Sequence, residues 1–126
     1  MSKGPLQGIR IVEIEGIGPA PFCGMHLADL GAEVIKVEAP SGDYIREMTW
    51  PIVEGVSLLH LHVSRGKQSL TLDLRTDEGR AIYPDLGRQA DVVAEAMRPG
   101  APARRGRSLA PAPAVHAQRP EGRRGG

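Results

Sequence analysis

Apolar, β-branched positions crowd residues 9–14, where Ile9, Ile11, Val12 and Ile14 are interrupted only by Arg10 and Glu13. This pattern reads as a buried strand. Residues 16–21 follow as Gly-Ile-Gly-Pro-Ala-Pro, too rich in Gly and Pro to extend a strand or a helix. A helix fits residues 21–30. Pro21 suits a first helical position, where its missing N–H costs nothing. Phe22, Met25 with His26, and Leu30 fall toward one face, and Gly31 is placed to end the helix. Residues 34–38 form the next strand, ended by Ala39-Pro40-Ser41-Gly42. Two strands joined by one helix within about 30 residues make a βαβ unit, which is almost always right-handed with parallel strands.

Residues 40–66 are less regular. A helical turn fits residues 44–48, and residues 56–63 are apolar enough for a strand or a short helix. The first pattern then repeats. Residues 69–73 alternate like a strand. Thr76 can cap a helix whose first turn holds Asp77 and Glu78, and Ala81, Ile82 and Leu86 supply its apolar stripe. Pro84 should kink or weaken it. Residues 91–95 read as a fourth strand. The fold class is α/β: a partial Rossmann-like open parallel sheet built from two βαβ units, with a disordered C-terminal tail.

Composition separates that tail from the rest. Residues 1–98 carry 10 Lys and Arg against 14 Asp and Glu, whereas residues 99–126 carry six Arg and only Glu121. The overall charge of +1 conceals this division. Of the last 28 residues, 22 are Ala, Arg, Gly or Pro, and there is no aromatic among them. Such a segment cannot bury enough apolar surface to offset its ordering entropy. One Cys excludes an intramolecular disulfide framework. No apolar run approaches the roughly 18 to 20 residues that span a bilayer, and the first residues lack a secretory signal pattern. A cytoplasmic protein with no membrane partner is the expectation. The Arg-rich tail lacks interleaved aromatics and a recognisable binding fold, so no nucleic-acid partner is expected.

Two places carry candidate chemistry. Gly16-Ile17-Gly18 at a strand end, with Glu38 ending the next strand 22 residues later, imitates a dinucleotide fingerprint. The imitation fails where Pro19 and Pro21 remove N–H groups that a pyrophosphate would need. Arg75 follows one strand and precedes a helix, Arg98 follows the fourth strand, and Arg104 lies six residues further. Three guanidinium groups at carboxyl ends of strands could hold a phosphorylated ligand. A solvated surface role is the competing reading for each. Cys23 reads as a small buried residue, and His60 and His62 would share a face only in a strand. No metal site is expected from the His and Cys spacing.

Several blocks together resemble the N-terminus of family III CoA transferases, the carnitine dehydratase and bile-acid-inducible protein F type that includes α-methylacyl-CoA racemase. These are residues 4–13, 18–23 and 27–38, then Gly42-Asp43-Tyr44, residues 65–74, Ala90-Asp91-Val92-Val93 and Arg98-Pro99-Gly100. The resemblance implies a CoA-binding Rossmann-like domain, an interlocked homodimer, and coenzyme A or an acyl-CoA as substrate. It places CoA contacts at Ile17, at Leu72, Asp73, Leu74 and Arg75, at Ala96, Met97 and Arg98, and at Arg104. Where the family commonly has Arg this chain has Ala39, and Ala96 and Met97 replace an Asn and an aromatic. The resemblance ends near Gly106. It implies that the catalytic carboxylate of the transferases, which forms a mixed anhydride later captured by a CoA thiolate, lies beyond that point, as do the His and Asp of the racemases. No catalytic residue is therefore assigned. Residues 1–106 are expected to be the first part of a CoA-binding domain, inactive alone. Residues 107–126 are expected to be a disordered or out-of-frame tail of a truncated reading frame. Residues 40–66 resemble the transferases more than the racemases. A racemase fragment and a non-catalytic nucleotide- or CoA-binding module are the alternatives.

Overall fold

In the computed structural model, residues 4–14, 16 and 18–96 are described. Strand β1 (Arg10–Ile14) lies inside a four-stranded sheet and pairs in parallel with β2 (Glu33–Glu38) on one side. Ile11, Val12, Glu13 and Ile14 are each at most 1% exposed. Burial on both faces explains the mostly apolar run, as parallel sheets are covered on both sides, with Glu13 the buried exception. Between these strands runs α1 (Pro19–Asp29). It starts earlier than the sequence pattern implies, with Pro19 in its first turn. It ends at Gly31, whose φ of +98° is available to glycine without steric cost.

The buried side of α1 is Ala20, Pro21, Gly24 and Met25. Phe22 and Leu30, expected to face inward, are 51% and 44% exposed, and Cys23 is exposed as well. Gly24 is required where α1 rests on a charged pair, described below: a Cβ there would stand 1.9 Å from Glu13 Oε2.

The segment after β2 is a 3-10 turn (Tyr44–Arg46), an antiparallel hairpin of β3 (Pro51–Val53) and β4 (Val56–Ser57), and α2 (Leu58–Val63). Residues 56–63 are thus strand and helix in succession. The switch occurs at Ser57, whose Oγ accepts from His60 N–H and donates to Ile45 O. Because α2 is helical, His60 is half-buried while His62 is exposed.

Strand β5 (Lys67–Thr71) pairs with β2 from Val34↔Lys67 to Glu38↔Thr71. It lies two residues earlier than the alternation implies, since β2 dictates its register. Leu72 N–H still reaches Glu38 O at 2.9 Å, and the chain then leaves the sheet. Thr76 Oγ1 accepts from Gly79 N–H and caps α3 (Asp77–Arg88), which continues through Pro84. Its buried residues are Gly79, Tyr83 and Gly87, with Leu86 packed on the core. Ile82, expected in the stripe, is 51% exposed.

Last comes β6 (Val92–Ala94), parallel to β1. The sheet order is β5-β2-β1-β6. The second βαβ unit therefore spans the whole sheet, and the direction of travel reverses between β1 and β6. Open α/β sheets bind ligands outside the strand ends at such a reversal. Two apolar clusters complete the layers. Val12, Ile14, Val37, Leu74, Tyr83 and Val93 pack on the α3 side, and Ile11, Ala32 and Val34 with Leu27 and Ala28 pack on the α1 side. The expected tail at 107–126, and with it the boundary near Gly106, lies outside the described residues.

Candidate functional site

Two adjoining clefts open where β1, β2 and β5 end. The larger, about 640 Å³, is lined by Gly16, Ala39, Ser41, Gly42, Asp43, Tyr44 and Glu47. The smaller, about 170 Å³, is lined by the ends of β1 and β2, by Ala39 and Ser41, and by Leu72, Asp73, Leu74 and Arg75. Four of the residues expected at a CoA site thus share one wall. Ala96 lies on the other side of β1, and a Cβ built on Gly16 would sit 3.7 Å from the Ala96 Cβ, an ordinary contact. Ile17, Met97, Arg98 and Arg104 lie outside the described residues.

Arg75 is held at the cleft edge by its neighbour. Its Nε and Nη2 donate to Asp73 Oδ1 and Oδ2, both at 2.9 Å, and its backbone N–H donates to Oδ1 at 3.0 Å. The Arg75 side chain is 76% exposed. This forked contact orients Arg75 more than it stabilises the fold, since exposed ion pairs contribute little. An anion at this edge would have to share Arg75 with a carboxylate.

Glu38 is differently occupied. It is 2% exposed. Oε1 accepts from Arg46 Nη2 and Ser69 Oγ, both at 2.9 Å. Oε2 accepts from Arg46 Nε at 2.7 Å and Asp43 N–H at 2.9 Å. Burial works to raise this carboxyl, but the bonds from Arg46, Asp43 and Ser69 outweigh it and bring it down to about 2. A carboxylate so engaged is not presented to a ribose, so geometry as well as the two prolines speaks against the dinucleotide pattern.

Beneath α1 the same face of the sheet carries more charge. Lys67 Nζ donates to Glu13 Oε2 at 2.6 Å and to Pro21 O at 2.7 Å. These side chains are 2% and 0% exposed. Burial pushes Glu13 up and Lys67 down, each against the pull of its partner. Lys36 Nζ lies 2.5 Å from Asp43 Oδ2, an ion pair by distance without hydrogen-bond angles. Asp43 Oδ1 accepts from Ile45 N–H and starts the 3-10 turn. Half-buried His60 is pushed down by burial and by the Arg46 and Lys36 cations.

Sequence reasoning singled out Ala39 in this loop and passed over residues 40–47 as a cleft wall. A signal was present. Glu13, Lys36, Glu38 and Lys67 interrupt strands that a parallel sheet would make apolar, and Asp43 and Arg46 follow one turn apart.

The family model described as CoA-transferase family III matches residues 6–118. The chain belongs to CoA-transferase family III. Within that family it is 45% identical over 97 residues to the succinyl-CoA–D-citramalate CoA-transferase of Chloroflexus aurantiacus, which covers 76% of this chain and 24% of that protein. It is 42% identical over 95 residues to the α-methylacyl-CoA racemase of Homo sapiens, covering 75% of this chain and 21% of the racemase. A crystal structure of a CaiB/BaiF family protein from Brucella suis superposes with a TM-score of 0.73 at 40% identity, over 82% of this chain and 29% of that one. This family III chain spans about a quarter of the length of the curated relatives it matches. No helix among its described residues is long and apolar enough to cross a membrane.

Proposed function

We propose that residues 1–106 form the N-terminal, CoA-binding portion of the large domain of a family III acyl-CoA:carboxylate CoA transferase, and that this chain alone does not turn over. The observation that carries the reading is the cleft at the ends of β1, β2 and β5, where Leu72, Asp73, Leu74 and Arg75 form one wall. Arg75, forked and exposed, supplies a cation for a phosphate of CoA. Ala39, where the family commonly has Arg, offers no second charge in the same cleft. Arg98 and Arg104 are proposed as further phosphate contacts, and Ile17, Ala96 and Met97 as neighbours of the rest of the ligand. A racemase fragment is the second reading, favoured by the likeness to the Homo sapiens α-methylacyl-CoA racemase. In either case a homodimer belongs to the complete family protein.

Titration of CoA into the 126-residue chain by calorimetry tests this. Arg75→Ala is expected to weaken binding about 5- to 10-fold, about 1 kcal/mol, the net worth of one hydrogen bond at an exposed site. Equal binding by both proteins would remove Arg75 from the site, and no binding by the wild type would overturn the CoA reading. A second assay mixes the chain with an acyl-CoA and an acceptor carboxylate. No new acyl-CoA is expected, and product formation above a no-protein control would overturn the proposed inactivity.

A further inference from the structure

The loop that walls the larger cleft is tied to the sheet by one buried carboxylate. Glu38 ends β2, the strand from which residues 39–46 depart. Its Oε2 takes Asp43 N–H, and its two oxygens together take the fork of Arg46. The tie thus closes from both sides of the 3-10 turn. Asp43 adds a second attachment through Lys36, and Gly42, at φ +82°, makes the bend that brings Arg46 back. A Cβ there would come within 3.0 Å of Arg46 Cδ. Both carboxylate oxygens of Glu38 are taken, and Ala39, Ser41, Gly42, Asp43 and Tyr44 line the larger cleft together with Gly16.

We propose that Glu38 is a positioning residue for ligand binding: through Arg46 and Asp43 it sets where the 39–46 wall stands relative to the end of β1. The inference rests on the CoA-binding reading above. Its physical basis is population. A loop released from the sheet samples many positions, and apparent affinity falls in proportion to the fraction that still matches the ligand. If release leaves about one loop in ten correctly placed, the apparent Kd rises about tenfold.

Glu38→Gln keeps the shape and one acceptor but loses the charge that holds the Arg46 fork. Two readouts on the full chain decide the matter, both well below the unfolding temperature. In amide hydrogen exchange, Asp43 and Ile45 should lose protection in the variant while the β1 amides keep theirs. In calorimetry, the CoA Kd should rise about tenfold. A purely structural role would lower thermal stability without moving affinity at constant folded fraction. Arg46→Lys serves as the second variant, since it keeps a cation while losing the fork, and it decides the question by the same readouts if Glu38→Gln does not fold. Unchanged loop exchange, or freed loop amides with unchanged Kd, would overturn the inference while leaving the CoA reading intact. No CoA binding by the wild type would overturn both.

Discussion

Lys67→Ala is expected to unfold about 3–5 kcal/mol more easily than the wild type at pH 7, the usual cost of leaving a buried charge without its partner. That is a large share of a domain stability that amounts to about 5–15 kcal/mol. The reasons are local. Lys67 and Glu13 side chains are 2% and 0% exposed, and Nζ also holds Pro21 O in the first turn of α1. Its removal strips Glu13 of its hydrogen bond and leaves the start of α1 without its anchor to β5.

The loss should depend on pH, with a sign that identifies its cause. Burial already pushes the Glu13 carboxyl above its ordinary value of 4.5, while Lys67 pulls it down. Without Lys67 the folded-state value climbs further. The folded protein then holds a proton that the unfolded chain releases, from pH 4.5 upward to the raised folded-state value. Stability falls as pH rises through that window, so the variant should recover part of its loss between pH 7 and pH 5. Urea unfolding midpoints of both proteins at the two pH values measure this. A loss below about 1 kcal/mol, the level of an exposed pair, would show that the ion pair does not hold this face. A loss with no recovery at pH 5 would assign the damage to packing alone.

Gly79→Ala is the second large effect, and two opposing terms decide its sign. Gly79 lies in the first turn of α3, where Ala would gain about 1 kcal/mol of helix propensity. A Cβ at this position would stand 1.9 Å from Asp73 O and 2.7 Å from Asp73 C. Those are backbone atoms of the loop that leaves β5, and Asp73 O also accepts from Thr76 Oγ1 and N–H. The helix start and this loop must move apart. Overpacking costs about 1–3 kcal/mol and more where the neighbour is backbone, so it outweighs propensity here. We expect a net loss of about 2 kcal/mol by thermal unfolding. The movement also displaces Asp73 and Arg75, so CoA affinity should drop with it. Gly16→Ala is the matched control for stability, because its Cβ meets nothing nearer than 3.7 Å. A Gly79→Ala protein as stable as wild type would show that the loop after β5 yields without cost.

Much of the secondary structure was legible for reasons of short range. The apolar run at β1, the Gly31 stop after α1 and the Thr76 cap of α3 each act within a few residues of themselves. The resemblance blocks likewise lie within single segments and pointed to the family. Expectations failed where a neighbour distant in sequence decided the outcome. Phe22 faces outward, and the sheet side of α1 is taken by Ala20, Pro21, Gly24 and Met25, with Gly24 packed directly against the Lys67–Glu13 pair. The alternation at 69–73 pointed to a later strand, but β2 set the register from Lys67. Ile82 left the stripe because Gly79 and Tyr83 take the sheet side of α3.

The sequence by itself determined the α/β class, the order of most elements, the family, and residues 72–75, Arg75 among them, as a strand-end segment. Only the tertiary structure decided that β6 joins β1, placing the reversal of the sheet at Gly16 and Ala96. It alone brought Glu38, Asp43, Arg46 and Ser69 into one contact, and Glu13 and Lys67, 54 residues apart, into another. Propensity and capping operate over one or two turns of chain. The pairing of buried charges depends on strand order and register, which no local pattern contains.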